Sequence, residues 1–463
     1  MTVSELNGQS VTVVGGARSG LAVARLLVQA GARVFLTDAK AAEPGAEAAL
    51  AALGVAAEFG GHTDRAHACG LAVVSPGVPT DAPLVQHFLE AGVPVYSEVE
   101  VASWFCRAPI VAITGTNGKT TTTSLAGHVF QQASAADGQP RRVVVAGNIG
   151  LPFSDVVEDV EANDVVVLEV SSFQLDHVAA FRPRVGVLLN LTSDHLDRYG
   201  NDFARYAAAK YRLFENMGEG DTLVYTADDE VLAGAVPPAQ AARGFRCVPL
   251  SILTEPDGPD AAFVRDGWLV LRLHATEERL MPTAQLALPG RHNLYNSLAA
   301  AVAARVMEVR SDVVRESLAS FEGVPHRLEF VRDLDGVRYV NDSKATNVNA
   351  VWYALESYDD RPVVLIAGGR DKGNDYASLR PLVRAHARAL IAIGESADKV
   401  AADLGPSAPV VEKAASMEEA VRLARQHAQP GDVVLLSPAC ASFDMFDNYE
   451  HRGDTFKRLV HAL

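Results

Sequence analysis

The sequence predicts an α/β protein built from about three domains, and two observations support this prediction. Short apolar segments rich in β-branched residues recur along the chain, and they alternate with Ala-, Leu- and Arg-rich segments of helical period. This alternation is typical of parallel strands joined by crossover helices. The 463 residues also suffice for three domains at roughly 150 residues each. We predict that these domains cover residues 1–106, 107–322 and 323–463.

The composition excludes several classes of protein. With 48% hydrophobic and 21% charged residues, a disordered or fibrous chain is not expected. There is neither an apolar run of about 18 residues nor a signal-like start, so we expect a cytoplasmic protein with no membrane span. The 57 acidic residues outnumber the 41 lysines and arginines, and the net charge of −16 argues against nucleic acid as a partner. The four cysteines lack the spacing of a disulfide framework or a zinc site.

The first predicted unit is a strand at 11–14, a glycine-rich turn at 15–20, a helix at 21–30 and a second strand at 33–37. This order resembles a Rossmann nucleotide-binding start, in which the amides of a helix N-terminus face a phosphate. Ala17 stands where the dinucleotide fingerprint requires its second glycine. The dinucleotide interpretation is therefore weak, and a simple βαβ turn is the alternative.

The strongest local signal is the turn Gly-Thr-Asn-Gly-Lys-Thr-Thr at 115–121, which follows a predicted strand at 109–113 and precedes a helix. Backbone N–H groups of such a turn bind phosphate oxygens, while Lys119 supplies positive charge and Thr120 a hydroxyl for Mg²⁺. Ile113 occupies the first glycine position of the usual P-loop, so the turn is a shortened variant. A glycine turn with an incidental Lys-Thr is the alternative.

Polar side chains follow the next two predicted strands of the second domain. Glu169 ends the apolar run that begins at 165. Burial of a carboxylate in such a strand costs free energy unless a cation lies beside it. The alternative is a strand tip that reaches solvent. The strand at 185–190 leads into Asp194, His195 and Asp197, which are hard ligands at the same carboxyl edge of the sheet. A magnesium site is therefore predicted here.

A helix is predicted at 202–216, and its apolar face carries Phe203, Ala207, Lys210 and Phe214. A lysine in a dry setting has a lowered pKa, and its neutral amine can react with CO₂ to form a carbamate. Such a carbamate would turn a cation into a metal-bridging anion. A lysine that snorkels from the edge of the apolar face is the commoner alternative. A strand-rich portion follows near 268–273.

The third domain is predicted to contain strands at 338–340, 363–367, 390–393 and 433–436, with polar loops at 341–347, 368–373 and 437–442. The first loop joins a strand to a predicted helix at 348–355 and suits an anionic ligand, while Asp342 suits a ribose. Three polar loops at one sheet edge favour a binding face, with ordinary loop chemistry as the alternative. The low-complexity candidate in the chain is the segment 134–140.

The order of these motifs resembles the Mur ligase family along essentially the whole chain. The shared motifs are GTNGKT at 115–120, GNIG at 147–150, Glu169, DHLD at 194–197, Lys210, GRHN at 290–293 with Asn296, and HRLE at 326–329. Within the family, SSFQL at 171–175 and NDSKATN at 341–347 resemble the D-glutamate-adding branch. The third domain lacks the D-N-P-R sequence of the diaminopimelate-adding branch.

This resemblance implies a Rossmann-like N-terminal domain for a UDP substrate, a central P-loop-type ATPase domain with a mostly parallel sheet, and a Rossmann-like C-terminal domain that binds D-glutamate and contributes to the ATP site. It implies that ATP converts UDP-N-acetylmuramoyl-L-alanine to an acyl phosphate, which the amine of D-glutamate attacks to form an amide. This is a cytoplasmic step of peptidoglycan synthesis. Mg²⁺ at two sites and a carbamylated Lys210 are also implied, and we expect a monomer.

The resemblance also implies the residues of the site. Catalytic roles are expected for Lys119, Glu169, His195 and Lys210, and metal ligation for Thr120, Glu169, His195 and Lys210. The residues expected to bind ATP are Gly115, Thr116, Asn117, Gly118, Lys119, Thr120, Thr121, Asn293, Asn296, Arg327 and Asp342. Those expected to bind the UDP substrate are Arg18, Ser19, Asp38, Lys40, Ser75, Gly77, Asn148 and Ser171. Those expected to bind D-glutamate are Lys344, Thr346, Lys372, Ser442 and Tyr449.

Two alternative functions stay open. One is another amide ligase on the same scaffold, of the folylpolyglutamate or alanine-adding type, against which the loops at Asp342 and Ser442 and the Phe173-Gln174 pair argue. The other is a nucleotide-dependent switch or binding module that uses GTNGKT without ligation. Such a module would need neither the three polar loops of the third domain nor Lys210 on an apolar helix face.

Overall fold

The computed structural model describes residues 2–136, 141–358, 361–371 and 373–463. It contains three sheets and divides into two compact units, Met1–Gln285 with Tyr295–Ala319 and Leu286–Leu294 with Ser320–Leu463. The predicted α/β class with mostly parallel sheets is confirmed, while the three predicted domain ranges stay predictions. Residues 137–140 of the low-complexity segment and Lys372 lie outside the described residues.

The first sheet of the first unit has five parallel strands in the order β3-β2-β1-β4-β5. These strands are β1 (Ser10–Val14), β2 (Arg33–Asp38), β3 (Ala56–Phe59), β4 (Leu71–Val74) and β5 (Val95–Ser97). Its helices are α1 (Arg18–Gln29), α2 (Ala46–Ala52), α3 (Asp64–His67), α4 (Pro83–Glu90) and α5 (Glu98–Phe105). A Cβ on Gly20 would lie 1.8 Å from the carbonyl oxygen of Gly15, so this glycine is required for α1 to approach β1.

The second sheet of the first unit has nine strands in the order β14-β13-β12-β11-β10-β9-β6-β8-β7. These are β6 (Ile110–Thr114), β7 (Val143–Gly147), β8 (Val165–Glu169), β9 (Val185–Leu188), β10 (Thr222–Thr226), β11 (Arg246–Ser251), β12 (Ala261–Arg265), β13 (Trp268–Leu273) and β14 (Thr276–Pro282). Strands β6 to β12 pair in parallel, and the last two pairs are antiparallel. Strands β6, β8 and β9 are wholly buried, which explains their continuous apolar sequences.

Seven helices follow the strands of this second sheet along the chain. They are α6 (Lys119–Ala136), α7 (Phe153–Val156), α8 (Ser172–Leu175), α9 (Phe203–Tyr211), α10 (Glu230–Arg243), α11 (Arg291–Val306) and α12 (Ser311–Ser320). The helix predicted at 202–216 was too long. The Asp202 side chain caps the N-terminus of α9, the helix ends at Tyr211, and a 3-10 turn follows at Arg212–Phe214. The strand predicted at 185–190 ends at Leu188, although the backbone of Leu189 and Asn190 still hydrogen-bonds to Thr114 and Thr116.

The second unit contains a sheet of six strands in the order β15-β16-β20-β17-β18-β19, in which only β15 is antiparallel. The strands are β15 (Glu329–Leu334), β16 (Val337–Asn341), β17 (Val363–Gly368), β18 (Ala387–Ile393), β19 (Val411–Ala414) and β20 (Val433–Leu436). The helices are α13 (Val348–Glu356), α14 (Arg380–His386), α15 (Ala397–Leu404), α16 (Met417–His427) and α17 (Tyr449–His461). Because β16, β20 and β17 are neighbours, the three predicted polar loops follow adjacent strands.

No helix within the described ranges is long and apolar enough to cross a membrane.

Candidate active site

The turn between β6 and α6 is hydrogen-bonded to Asn190 and lies close to Asn296, both from distant parts of the first unit. The amide of Asn117 donates to Asn190 Oδ1 at 2.8 Å, and the Asn190 side chain donates back to the Asn117 carbonyl at 3.1 Å. Gly118 has a φ of +83°, and a Cβ there would lie 2.5 Å from Asn296 Oδ1. A side chain at position 118 is therefore excluded both by backbone conformation and by space.

Lys119 begins α6 and folds back over this turn. Its Nζ donates to the carbonyl of Thr116 at 2.8 Å and to that of Gly115 at 3.0 Å. Thr120, the next residue, is buried. The partial positive charge of the α6 N-terminus adds to the charge of Lys119, so the turn has the electrostatics and the backbone geometry of a phosphate-binding loop.

Glu169 ends β8 and is only 1% exposed. Its Oε1 accepts a hydrogen bond from Asn148 Nδ2 at 2.7 Å. Its Oε2 is buried and has no hydrogen-bond partner within the described residues. Since a buried carboxylate oxygen without a donor is unfavourable unless a cation meets it, Glu169 fits the role of a metal ligand. The alternative of a strand tip that reaches solvent is wrong.

Lys210 is directed into the protein from α9, so the snorkelling alternative is wrong. The residue is 2% exposed, and its Nζ donates to the carbonyl of Gly115 at 2.9 Å and to Thr114 Oγ1 at 3.3 Å. Burial, followed by the charge of Lys119, holds the pKa of the Lys210 amine well below its usual value. Lys210 therefore lies against the turn at 115–121 with an amine that is easily deprotonated.

His195 is the most exposed of the predicted metal ligands. Its side chain is 45% exposed, and its ring packs edge-on against Phe173 with centroids 5.2 Å apart. Its Nε2 lies 3.7 Å from a carboxylate oxygen of Asp194. In the part of the chain that the structure describes, no three His, Cys, Asp or Glu side chains are grouped closely enough to hold a metal. The predicted hard-ligand cluster at 190–197 does not form such a site by itself, so a metal here needs Glu169, hydroxyl or phosphate oxygens as well.

Several residues predicted to bind the UDP substrate lie at the carboxyl ends of β1, β2 and β4. Asp38 Oδ2 accepts from the amide of Gly16 at 2.6 Å, and Ser75 Oγ donates to the carbonyl of Gly15 at 3.1 Å. Arg18 reaches from α1 to a carbonyl of the loop after β7, at 3.0 Å. Asp38 and Ser75 therefore brace the turn after β1, and the exposed or half-buried candidates around it are Arg18, Ser19 and Lys40.

Asn148 and Ser171 lie at the ends of β7 and β8, in the second sheet. The Asn148 amide donates to the Glu169 carbonyl at 2.8 Å, so this predicted UDP-substrate residue is adjacent to the predicted metal ligand. Ser171 caps α8, where its Oγ accepts from the amide of Gln174 at 3.3 Å and donates to Gln174 Oε1 at 3.1 Å.

The predicted D-glutamate residues of the second unit occupy the loops after β16 and β20 and the start of α17. Lys344 Nζ lies 5.3 Å from the ring centre of Tyr449, within cation–π range. Ser442 is buried. Asp342, predicted to bind the nucleotide, is buried, and its two oxygens accept from Ser437 Oγ at 2.7 Å and from the Leu328 amide at 3.2 Å. Burial raises the pKa of Asp342 to about 7.

The sequence did not predict that Tyr206, Arg198 and Arg452 contact segments of the candidate site. The Tyr206 hydroxyl lies 2.9 Å from Thr116 Oγ1 in the phosphate loop. Its position four residues before Lys210 was a usable signal, because such residues share a helix face. Arg452 is buried in α17 and donates to the carbonyls of Ser343 at 2.7 Å and Cys440 at 3.1 Å. Nothing in the local sequence distinguishes Arg452 from an arginine on a solvated helix face.

Comparison with known proteins places these features in a family. Three family descriptions match successive parts of the chain: "Mur ligase MurD-like, N-terminal domain" at 9–97, "Mur ligase middle domain" at 113–304, and "Mur ligase, glutamate ligase domain" at 326–440. A UDP-N-acetylmuramoylalanine--D-glutamate ligase from Salinibacter ruber is 62% identical over 463 residues, which cover 100% of both chains. One from Chloroherpeton thalassium is 48% identical over 472 residues, again with 100% of both chains covered.

A MurF ligase from Thermotoga maritima, solved in complex with ADP, superimposes with a TM-score of 0.60. The match covers 100% of this chain and 97% of that chain at 16% identity, and it shows the fold alone. The fold of this chain is thus similar to that of a MurF ligase. The chain belongs to the Mur ligase family, and the resemblance drawn from its motifs is confirmed.

Proposed function

We propose that this chain is an ATP-dependent ligase that joins D-glutamate to UDP-N-acetylmuramoyl-L-alanine, with ADP and phosphate as the other products. The observation that carries the proposal is its 62% identity, over the full length of both chains, to a relative that is named for this reaction. The phosphate loop with Lys119, Glu169 and Lys210 around it supports an ATP-dependent step. A nucleotide switch has no need of a buried lysine against its phosphate loop.

In the first step, a carboxylate oxygen of the alanyl group attacks the γ-phosphorus of ATP, and the bond to the bridging oxygen of ADP breaks. The product is an acyl phosphate. Lys119 and the amides at the start of α6 would neutralise the charge on the transferring phosphoryl group. Residues 115–121 would hold the phosphates, and the other proposed ATP-binding residues are Asn293, Asn296, Arg327 and Asp342.

Mg²⁺ at two sites would supply charge neutralisation on the phosphates. The unpartnered Oε2 of Glu169 supports a metal beside the loop, and the other proposed ligands are Thr120, His195 and a carbamate on Lys210. To form that carbamate, the lone pair of the neutral Lys210 amine makes an N–C bond to CO₂, and one N–H proton is released to solvent. The burial of Lys210 and its lowered pKa support the neutral amine that this reaction needs.

In the second step, the neutral amine of D-glutamate attacks the acyl carbon. The tetrahedral intermediate expels phosphate, and the nitrogen loses one proton to the departing phosphate or to solvent as the amide forms. Cations and hydroxyls of the second unit would bind the two carboxylates of D-glutamate, namely Lys344, Thr346, Lys372 and Ser442, with Tyr449 stacked beside Lys344. The UDP substrate would bind through Arg18, Ser19, Asp38, Lys40, Ser75, Gly77, Asn148 and Ser171. We propose a monomer that works in the cytoplasm, with the UDP substrate bound by residues 1–106, ATP by 107–322 and D-glutamate by 323–463.

An ADP-release assay with Mg²⁺, ATP and UDP-N-acetylmuramoyl-L-alanine tests this proposal when the amino acid is varied. D-Glutamate should support ADP formation, and omission of any one substrate should abolish it, because an acyl phosphate turns over only when an amine intercepts it. L-Alanine, L-lysine and L-glutamate with a folate acceptor represent the other ligases. Turnover with any of these equal to that with D-glutamate would overturn the assignment.

A further inference from the structure

Arg198 connects two segments of the first unit that have different roles in the proposed function: the loop after β4, which binds the UDP substrate, and the turn after His195, a ligand of Mg²⁺. Its NH2 donates to the carbonyls of Val78 at 3.0 Å and Pro76 at 3.3 Å, and its NH1 donates to that of Gly77 at 3.4 Å. These carbonyls belong to the loop after β4, which is proposed to bind the UDP substrate. Arg198 itself lies in the 3-10 turn that follows His195.

The other side of the Arg198 side chain is packed against the His195 region. The guanidinium carbon lies 4.3 Å from the centre of the Phe173 ring, and the same ring contacts His195 edge-on. The backbone amide of Arg198 donates to the His195 carbonyl at 3.0 Å. The Phe173 ring also stacks on Tyr199. One arginine therefore ties the loop at 76–78 to the turn that presents His195.

The chemistry of this contact is specific to arginine. A carbonyl only accepts hydrogen bonds, and a guanidinium only donates them, from a flat fork whose face can stack on an aromatic ring. A lysine ammonium has the same charge, but it has three donors on one atom and no planar face. The three consecutive carbonyls of Pro76, Gly77 and Val78 and the ring of Phe173 together match a guanidinium and not an ammonium.

We propose that Arg198 is a positioning residue of the ligase reaction. It fixes the position of the loop at 76–78 relative to the turn that follows His195. This inference rests on the proposed function. Attack of a carboxylate on a phosphorus requires the reacting atoms to approach to about 3 to 3.5 Å, and a displacement of about 1 Å can lower the rate about 100-fold. Arg198 would act on the reaction through the loop that it holds and would touch no reacting atom.

Kinetics of Arg198→Ala and Arg198→Lys test the proposal, with Arg205→Ala as the matched control. Arg205 lies on the next helix, its side chain is 73% exposed, and it pairs with Asp202 at 3.6 Å. Both Arg198 variants should lose about 10- to 100-fold in kcat/KM for UDP-N-acetylmuramoyl-L-alanine, with the KM for ATP within about two-fold of the native value. Guanidinium ion should restore part of the Arg198→Ala rate and should leave Arg205→Ala unchanged. Native kinetics in Arg198→Ala, or an equal rise in both KM values, would overturn the proposal.

Hydrogen exchange without substrates provides a second readout that does not depend on turnover. The Val78 amide donates to the Ser75 carbonyl at 3.0 Å, and the amides of Gly77, Val78 and Thr80 should exchange faster in Arg198→Ala but not in Arg205→Ala. If the native protein forms no ADP with the UDP substrate, the proposed function fails while exchange still decides whether Arg198 holds the loop. If the native protein is active and Arg198→Ala exchanges and turns over normally, the role of Arg198 alone is refuted.

Discussion

Lys210 Nζ and the carbonyl oxygen of Gly115 are 2.9 Å apart, so a buried lysine of α9 directly contacts the turn at 115–121 that is proposed to bind phosphate. The same carbonyl accepts from Lys119 Nζ at 3.0 Å. Two ammonium groups that share one acceptor repel each other, which is why the charge of Lys119 contributes to the lowered pKa of Lys210. This relationship gives Lys210 a reactive amine at the place where ATP phosphates are proposed to bind.

Activity should depend on bicarbonate, and the dependence should be steepest at acid pH. Carbamate formation consumes the neutral amine of Lys210 and releases a proton, so a lower pH opposes it. Enzyme depleted of bicarbonate should lose ADP formation first on the acid side and regain it when bicarbonate is added. An activity that does not change with bicarbonate at any pH would contradict a carbamate on Lys210.

Lys210→Ala should be nearly inactive, and acetate or formate should restore part of its rate by occupying the vacated anionic position. Lys413→Ala is the control, because Lys413 has a 57% exposed side chain that pairs with Asp398, and it should keep the native rate with or without added carboxylate. Normal turnover by Lys210→Ala would leave Lys210 as a packing residue.

Lys119→Ala should lose at least about 100-fold in kcat, because Lys119 is proposed to neutralise charge on the transferring phosphoryl group. Its melting temperature should stay close to the native value, because its hydrogen bonds to Thr116 and Gly115 lie within the turn itself and join no other element. The measurement pairs an ADP-release assay with thermal unfolding. A rate near that of the native protein would show that this turn does not bind the reacting phosphates.

Glu98 and Glu100 are both buried on α5, two residues apart. Substitution by glutamine should have opposite effects on thermal stability at the two positions. Glu100 accepts hydrogen bonds from the amides at 179–181 and from Trp104 Nε1 at 2.8 Å. Glu98 accepts one from the Ser154 amide at 2.6 Å, and its Oε2 has no partner among the described residues. Burial raises the pKa of Glu98 above its usual 4.5.

A raised pKa means that the folded protein binds a proton more tightly than the unfolded chain does. The stability associated with Glu98 is then fully present below pH 4.5 and is lost as the pH rises through the folded pKa. Glu98→Gln should therefore melt at or above the native temperature at about pH 8, with an advantage that shrinks toward about pH 5. Glu100→Gln should lose about 1 to 3 kcal/mol at both values. Destabilisation by Glu98→Gln that does not vary with pH would contradict an ionised, poorly solvated Glu98.

Lys344→Ala should raise the KM for D-glutamate by one to two decades, which corresponds to loss of a charge-assisted contact of about 1.5 to 3 kcal/mol. Tyr449→Phe should retain the ring that lies 5.3 Å from Lys344 Nζ and change this KM little. Steady-state kinetics with varied D-glutamate provide the measurement. Equal effects of Lys344→Ala on the KM for D-glutamate and for ATP would argue against a specific role in amino-acid binding.

The sequence by itself determined the features that contiguous residues encode. The strand, glycine turn and helix around 115–121 were predicted because they are contiguous in the chain. The inward direction of Lys210 was predicted from its spacing along α9. The parallel strands were predicted because strands buried on both faces are continuously apolar. The α/β class and the family are confirmed, while the assigned roles of the site residues stay predictions.

The tertiary structure alone decided which distant side chains meet. Asn190 reaches Asn117 across 73 positions of sequence, and Arg198 reaches Val78 across 120. The first contact depends on the order of strands in one sheet, with β9 beside β6, and the second joins a loop of the first sheet to a turn of the second sheet. No local sequence pattern encodes either arrangement. The burial of Asp342 and of Arg452 was not predicted for the same reason. Charged residues are usually exposed, and their burial depends on hydrogen-bond partners in other loops, which the local sequence does not reveal.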